Sequence, residues 1–193
     1  MKRDIILSGV GGQGILSIAM VIGEAATAAD INLKQAEVHG MSQRGGDVQS
    51  NLRLSDAMIR SDLIPTGFAD MIISMEPMEA LRYVPMLSAD ACVITSSTPL
   101  INIPDYPDSQ AVIDELKASC PKLVLADIDQ VAKQAGNPRG ANMVLLGMAA
   151  PYIGIFTPEQ LRAALCKVFA RKGEAIVEAN CKCFDAGVEL SNK

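Results

Sequence analysis

Apolar residues along this chain follow two alternating rhythms. Short apolar runs at residues 4–8, 31–38, 70–75, 91–96 and 122–126, bounded by glycine, proline or charged residues, read as strands. Several are apolar enough to be buried on both faces of a sheet. Between them lie stretches at helical spacing. Residues 12–29 place Ile15, Ile18, Ala19, Ile22, Ala25 and Ala26 on one face, and 77–83 and 109–119 are shorter helices of the same kind. Residues 48–54 alternate, with Val48, Ser50, Leu52 and Leu54 on one face and Gln49, Asn51 and Arg53 on the other, which predicts a half-buried strand. A turn at Ser55-Asp56 and a return through 57–60, closed by Pro65-Thr66-Gly67, make this an antiparallel hairpin inside a βαβ series.

Beyond residue 126 the pattern is helical. Asp127 is placed to cap one helix, and Gly136-Asn137-Pro138-Arg139-Gly140 ends it. Residues 141–153 are apolar all round, which predicts burial within the domain or against another chain. Thr157-Pro158-Glu159-Gln160 is a capping box with proline at the first helical position, opening a helix over 161–169. A last helix covers 172–190. The expected fold class is α/β: a three-layer α/β/α arrangement with a mostly parallel, mixed sheet and a helical C-terminal part, with residues 1–193 forming one domain.

Composition narrows the function. A chain of 193 residues, 49% hydrophobic, can bury a substantial core. A net charge of −5, with scattered Lys and Arg, argues against nucleic acid as a partner. No apolar segment approaches the roughly 20 residues of a membrane span, and no signal-peptide pattern opens the chain, so a cytoplasmic location away from membranes is expected. The five cysteines form no C-x-x-C pair, which signals neither a disulfide framework nor a cluster or metal site; all are expected as reduced, mostly buried thiols. The ten methionines fill a flexible core, or some of them face a partner.

Candidate chemistry gathers in two places. Gly9, Gly11 and Gly14 stand at G-x-G-x-x-G spacing between the first strand and its helix, with Gly12 and Gln13 inside the turn. Such a turn brings backbone close to a ligand or another chain, and the helix N-terminus behind it favours anions. The same spacing also suits a tight strand-to-helix turn that binds no small molecule. Glu37, about 20 residues on, stands where a dinucleotide-binding unit puts its ribose carboxylate. Next comes a polar, glycine-punctuated loop, His39-Gly40-Met41-Ser42-Gln43-Arg44-Gly45-Gly46-Asp47. Arg44 offers a forked clamp for carboxylate or phosphate, and Gly45-Gly46 lets backbone approach a partner. His39 is either a proton shuttle or a hydrogen-bonded structural residue.

Taken together, Gly9–Ile15 and the Glu37–Gly46 segment resemble the gamma-type domain of 2-oxoacid:ferredoxin oxidoreductases. Glu79-Ala80-Leu81-Arg82-Tyr83 and Gly136-Asn137-Pro138-Arg139-Gly140-Ala141-Asn142 are similar in particular to the small (beta) subunit of indolepyruvate:ferredoxin oxidoreductase. The resemblance implies a subunit of an enzyme that oxidatively decarboxylates a 2-oxoacid, an indolepyruvate or arylpyruvate, to an acyl-CoA, inactive alone. It implies thiamine diphosphate, Mg, [4Fe-4S] clusters and CoA held through a large (alpha) partner subunit, with ferredoxin reached through the complex. The cofactor-binding or intersubunit residues are then Gly9, Gly11, Gly12, Gln13, Gly14, His39, Ser42, Gln43, Arg44, Gly45, Gly46 and Asn142. Two other readings of the same residues are a free-standing nucleotide-binding oxidoreductase using Gly9, Gly11, Gly14 and Glu37 on NAD, and a non-catalytic binding domain.

Overall fold

The computed structural model describes residues 1–39, 45–120 and 122–191, with the side chain of His39 excepted. The described strands are β1 (Lys2–Val10), β2 (Asn32–His39), β3 (Asp47–Ser55), β4 (Ala69–Ser74), β5 (Leu87–Ser96) and β6 (Leu123–Ala126). They form one sheet in the order β2-β3-β1-β4-β5-β6. Strands β1, β4, β5 and β6 pair in parallel, whereas β3 is antiparallel to both β1 and β2. The expected mixed, mostly parallel sheet is present.

The hairpin differs from the expectation. Its arms are β2 and β3, paired from Asn32↔Ser55 to His39↔Val48, and residues 57–60 form no strand. The antiparallel element lies where it was expected but turns at the other end. Asn51, assigned by alternation to an outward polar face, is buried there and accepts a hydrogen bond from the Ile64 amide at 3.2 Å.

Helices α1 (Ile15–Ala28), α2 (Pro77–Arg82), α3 (Ser109–Ser119), α4 (Ile128–Gln134), α5 (Ala141–Ile153), α6 (Pro158–Phe169) and α7 (Glu174–Ser191) make up the other layers. The pleat of β1 sends Ile5 and Leu7 into the larger core, with α1 and α4 to α7, and Ile6 into a smaller one with Ala80 of α2 and Val112 and Leu116 of α3. Residues 141–153 are apolar all round because α5 lies between the sheet and α7 in the same chain. The two helices touch backbone to backbone: a Cβ added at Gly147 would stand 2.1 Å from the Phe184 carbonyl oxygen, and one at Gly187 would stand 2.0 Å from that of Val144.

Local signals fixed the helix starts. Asp127 Oδ1 accepts from the Gln130 amide at 2.9 Å, and Thr157 and Gln160 exchange both bonds of the capping box. Helix α1 begins at Ile15, three residues later than its periodicity predicted, because Gly12 and Gly14 both take positive φ. Among the described residues no helix is long and apolar enough to cross a membrane.

Candidate functional site

The glycine turn leaves β1 at the carboxyl edge of the parallel strands, where ligands and partners of open α/β sheets gather. Gly14 caps α1 in the left-handed region at φ +84°, a conformation that costs a residue with a Cβ about 1–2 kcal/mol. Gly9 is required by proximity instead, since a Cβ there would meet Gln13 Oε1 at 2.9 Å and Met75 Cβ at 3.1 Å. Gln13 folds back into the turn, its Oε1 accepting from the Val10 backbone amide at 2.7 Å while the Gln13 backbone amide donates to the Val10 carbonyl at 3.1 Å. The side chain of Gln13 is therefore a staple of the turn.

The two sequence motifs meet here through backbone. The Gly11 amide donates to the Gly46 carbonyl at 2.9 Å, and the Gly45 amide to the Gly11 carbonyl at 3.4 Å, extending the β1–β3 ladder into the turn. An amide that a phosphate-binding turn would present to its ligand is thus engaged by the chain itself. Asn142, in the first turn of α5, donates through Nδ2 to the Gly14 carbonyl at 3.1 Å and ties the helical layer to the turn across 128 residues of sequence. From a third side, Asn102 Nδ2 donates to the Gly45 carbonyl at 2.6 Å.

Openings flank the turn on both sides. One, of about 360 Å³, is lined by Val10, Gly11, Gly12, Gly14, Ile15, Leu16 and Val48. The other, of about 370 Å³, reaches from Gly12 and Gln13 past Met75 and Leu100 to Asp129, Arg139 and Asn142. Glu37 does not belong to either, which corrects the dinucleotide expectation. It is an exposed residue of edge strand β2, and β3 occupies the slot beside β1 that a ribose-binding strand would need.

Sequence reasoning missed a buried polar cluster beneath the Gly45-Gly46 segment. Asp47 Oδ2 accepts from the Tyr83 hydroxyl at 2.8 Å, and its Oδ1 is buried without a hydrogen-bond partner among the described residues. Glu79, buried, accepts from Arg82 Nε at 2.8 Å, and fully buried Glu76 takes the Glu79 amide at 2.8 Å and the Tyr106 hydroxyl. Burial pushes the Glu79 carboxyl above its ordinary value, the Asp47 carboxylate adds to the rise, and Arg82 partly opposes it. Burial and the neighbouring carboxylates also raise both tyrosine hydroxyls. The one available signal was the acidic pair flanking Pro77 at a helix start, since a carboxylate there can cap the helix.

The structure thus brings Gly9, Gly11, Gly12, Gln13, Gly14, Gly45, Gly46 and Asn142 to one edge. Ser42, Gln43 and Arg44, together with Gly40 and Met41, lie outside the described residues. The backbone of His39 ends β2 opposite Val48.

Comparison with known proteins gives a consistent set. Residues 4–190 match the family described as pyruvate ferredoxin/flavodoxin oxidoreductase. The chain is 35% identical to indolepyruvate oxidoreductase subunit IorB of Archaeoglobus fulgidus, over 97% of this chain and 94% of that one. It is 33% identical to the subunit of the same name from Methanothermobacter thermautotrophicus, over 97% and 96%. Among solved structures it superimposes on the gamma subunit of a keto/oxoacid ferredoxin oxidoreductase from Geobacter sulfurreducens with a TM-score of 0.72 at 25% identity, covering 98% of each chain.

Proposed function

The chain belongs to the pyruvate ferredoxin/flavodoxin oxidoreductase family, and on that premise we propose that it is the small subunit of a cytoplasmic complex oxidising an indolepyruvate- or arylpyruvate-type 2-oxoacid. The product is an acyl-CoA and the electrons pass to ferredoxin. Residues 1–193 act as a single gamma-type domain, and a large partner subunit carries thiamine diphosphate, magnesium, [4Fe-4S] clusters and CoA. An iron–sulfur cluster needs converging thiolates. Among the described residues no three of His, Cys, Asp and Glu gather as metal ligands.

The observation that carries the reading is the backbone pairing of Gly11 with Gly45 and Gly46. It anchors one end of the His39–Asp47 segment on the glycine turn at the carboxyl edge of the sheet, beside Leu16 and Met20, which α1 leaves exposed. A platform of paired glycine backbone with exposed aliphatic side chains suits close approach of another chain. Gly9, Gly11, Gly12, Gln13, Gly14 and Asn142 hold the platform; His39, Ser42, Gln43 and Arg44 meet the partner subunit or CoA.

Reconstitution with the large subunit tests this, following 2-oxoacid-dependent reduction of an electron acceptor. Arg44→Ala is expected to cost about 2–5 kcal/mol in assembly or turnover, the range for removing one partner of a desolvated charged contact, and Arg44→Lys to restore little of it. Unchanged assembly and turnover in both variants would overturn the interface assignment.

A further inference from the structure

Two of the five cysteines meet far from the glycine turn. Cys166 on α6 and Cys181 on α7 stand with their Sγ atoms 3.4 Å apart. That is van der Waals contact, and closing to the roughly 2 Å of an S–S bond takes a shift of little more than an ångström. Cys181 is buried while Cys166 is half-buried, and both line an open groove of about 830 Å³ with Arg162, Glu178, Lys182 and Asp185. Arg162 is held over this groove by Asp185, at 2.8 Å from Nε to Oδ1. The other thiols offer no competing pair. Cys183 follows Cys181 by two positions, faces elsewhere on the helix and approaches the Asn137 carbonyl at 3.7 Å. Cys92 belongs to the larger core and Cys120 to the smaller one, on opposite faces of the sheet.

We propose that Cys166 and Cys181 form a peroxide-responsive thiol pair that closes reversibly into an intramolecular disulfide joining α6 to α7. The accessible sulfur acts first: the Cys166 thiolate attacks a hydroperoxide oxygen, an S–O bond forms, the O–O bond breaks, and hydroxide leaves. Cys181 then attacks the Cys166 sulfur; the S–S bond forms as the S–O bond breaks, and water departs with the Cys181 proton. With hydrogen peroxide as the oxidant, the proton given up by Cys166 converts the departing hydroxide to water, so two thiols give up two electrons to one peroxide and two waters result. The guanidinium of Arg162 and the ammonium of Lys182 line the groove from which peroxide arrives. Burial pushes the Cys181 thiol up to about 11, which keeps it protonated until the first step has produced the electrophile beside it.

The test uses the full reduced chain treated with hydrogen peroxide, quenched by alkylation and mapped by mass spectrometry. The expected result is a fall from five alkylatable thiols to three, a mass loss of two hydrogens, a peptide pair joined through Cys166 and Cys181, and full reversal by dithiothreitol. Cys183→Ser should leave the bond intact. Cys166→Ser should leave Cys181 alkylatable, and Cys181→Ser should let Cys166 proceed to sulfinic acid. Five alkylatable thiols after treatment, oxygen adducts at Cys166 in the unmutated chain with Cys181 still free, or a bond between two chains would each overturn the proposal.

Discussion

Replacing Gly14 by alanine tests whether the turn and the helical layer are joined as described. Two effects act together. The left-handed φ of +84° costs the new residue about 1–2 kcal/mol. The added Cβ would stand 2.6 Å from Asn142 Nδ2, the far end of a flexible side chain, so Asn142 swings aside and gives up its 3.1 Å bond to the Gly14 carbonyl. A hydrogen bond of this kind contributes about 1 kcal/mol. Gly14→Ala should therefore destabilise by about 2–3 kcal/mol, and Asn142→Ala, which loses the bond alone, by about 1 kcal/mol. In the double variant the bond can be lost only once. The cost should stay near about 2–3 kcal/mol, and the two changes should fail to add by about 1 kcal/mol. Urea unfolding of the four proteins measures each term. Additivity of the two changes within a few tenths of a kcal/mol would mean that Asn142 is not joined to the turn and would refute the reasoning.

Two further outcomes follow from buried contacts. Gly147→Ala pushes a methyl group into the Phe184 carbonyl, where only rigid backbone can move; it should force α5 and α7 apart and cost at least about 3 kcal/mol, and a urea midpoint unchanged from the parent chain would contradict that packing. Glu79 gives a pH dependence of definite sign. Burial beside Asp47 raises its folded pKa above the ordinary 4.5, so its proton is held more tightly folded than unfolded, and its contribution falls as pH rises through the raised value. Glu79→Gln removes that titration. Relative to the variant, the parent chain should lose stability as pH rises above the ordinary carboxylate range and through the raised value, and parallel pH profiles in urea would count against the shared burial of Glu79 and Asp47.

The amino-acid sequence by itself determined what depends on neighbours along the chain. Alternation at Val48, Ser50, Leu52 and Leu54 marks a strand because the pleat repeats every two residues. The Thr157–Gln160 box and Asp127 mark helix starts because their bonds close within three residues. The two motifs stood out for a similar reason, as unusual runs of glycine and polar residues between regular elements. What only the tertiary structure decided is which segments face one another. Ser55-Asp56 resembled the turn of a hairpin, yet β3 pairs with β2 before it and β1 beyond, since ladder pairing is settled by the whole sheet. Asn51 and Glu79 carry polar side chains that periodicity leaves in water. They are buried because the face they point to is covered, by the segment containing Ile64 for one and by the packing of α2 for the other. The same holds for the edge where Gly11, Gly46 and Asn142 converge. No local pattern relates residues 11, 46 and 142, and their meeting is a consequence of how the sheet pairs its strands and packs against its helical layer.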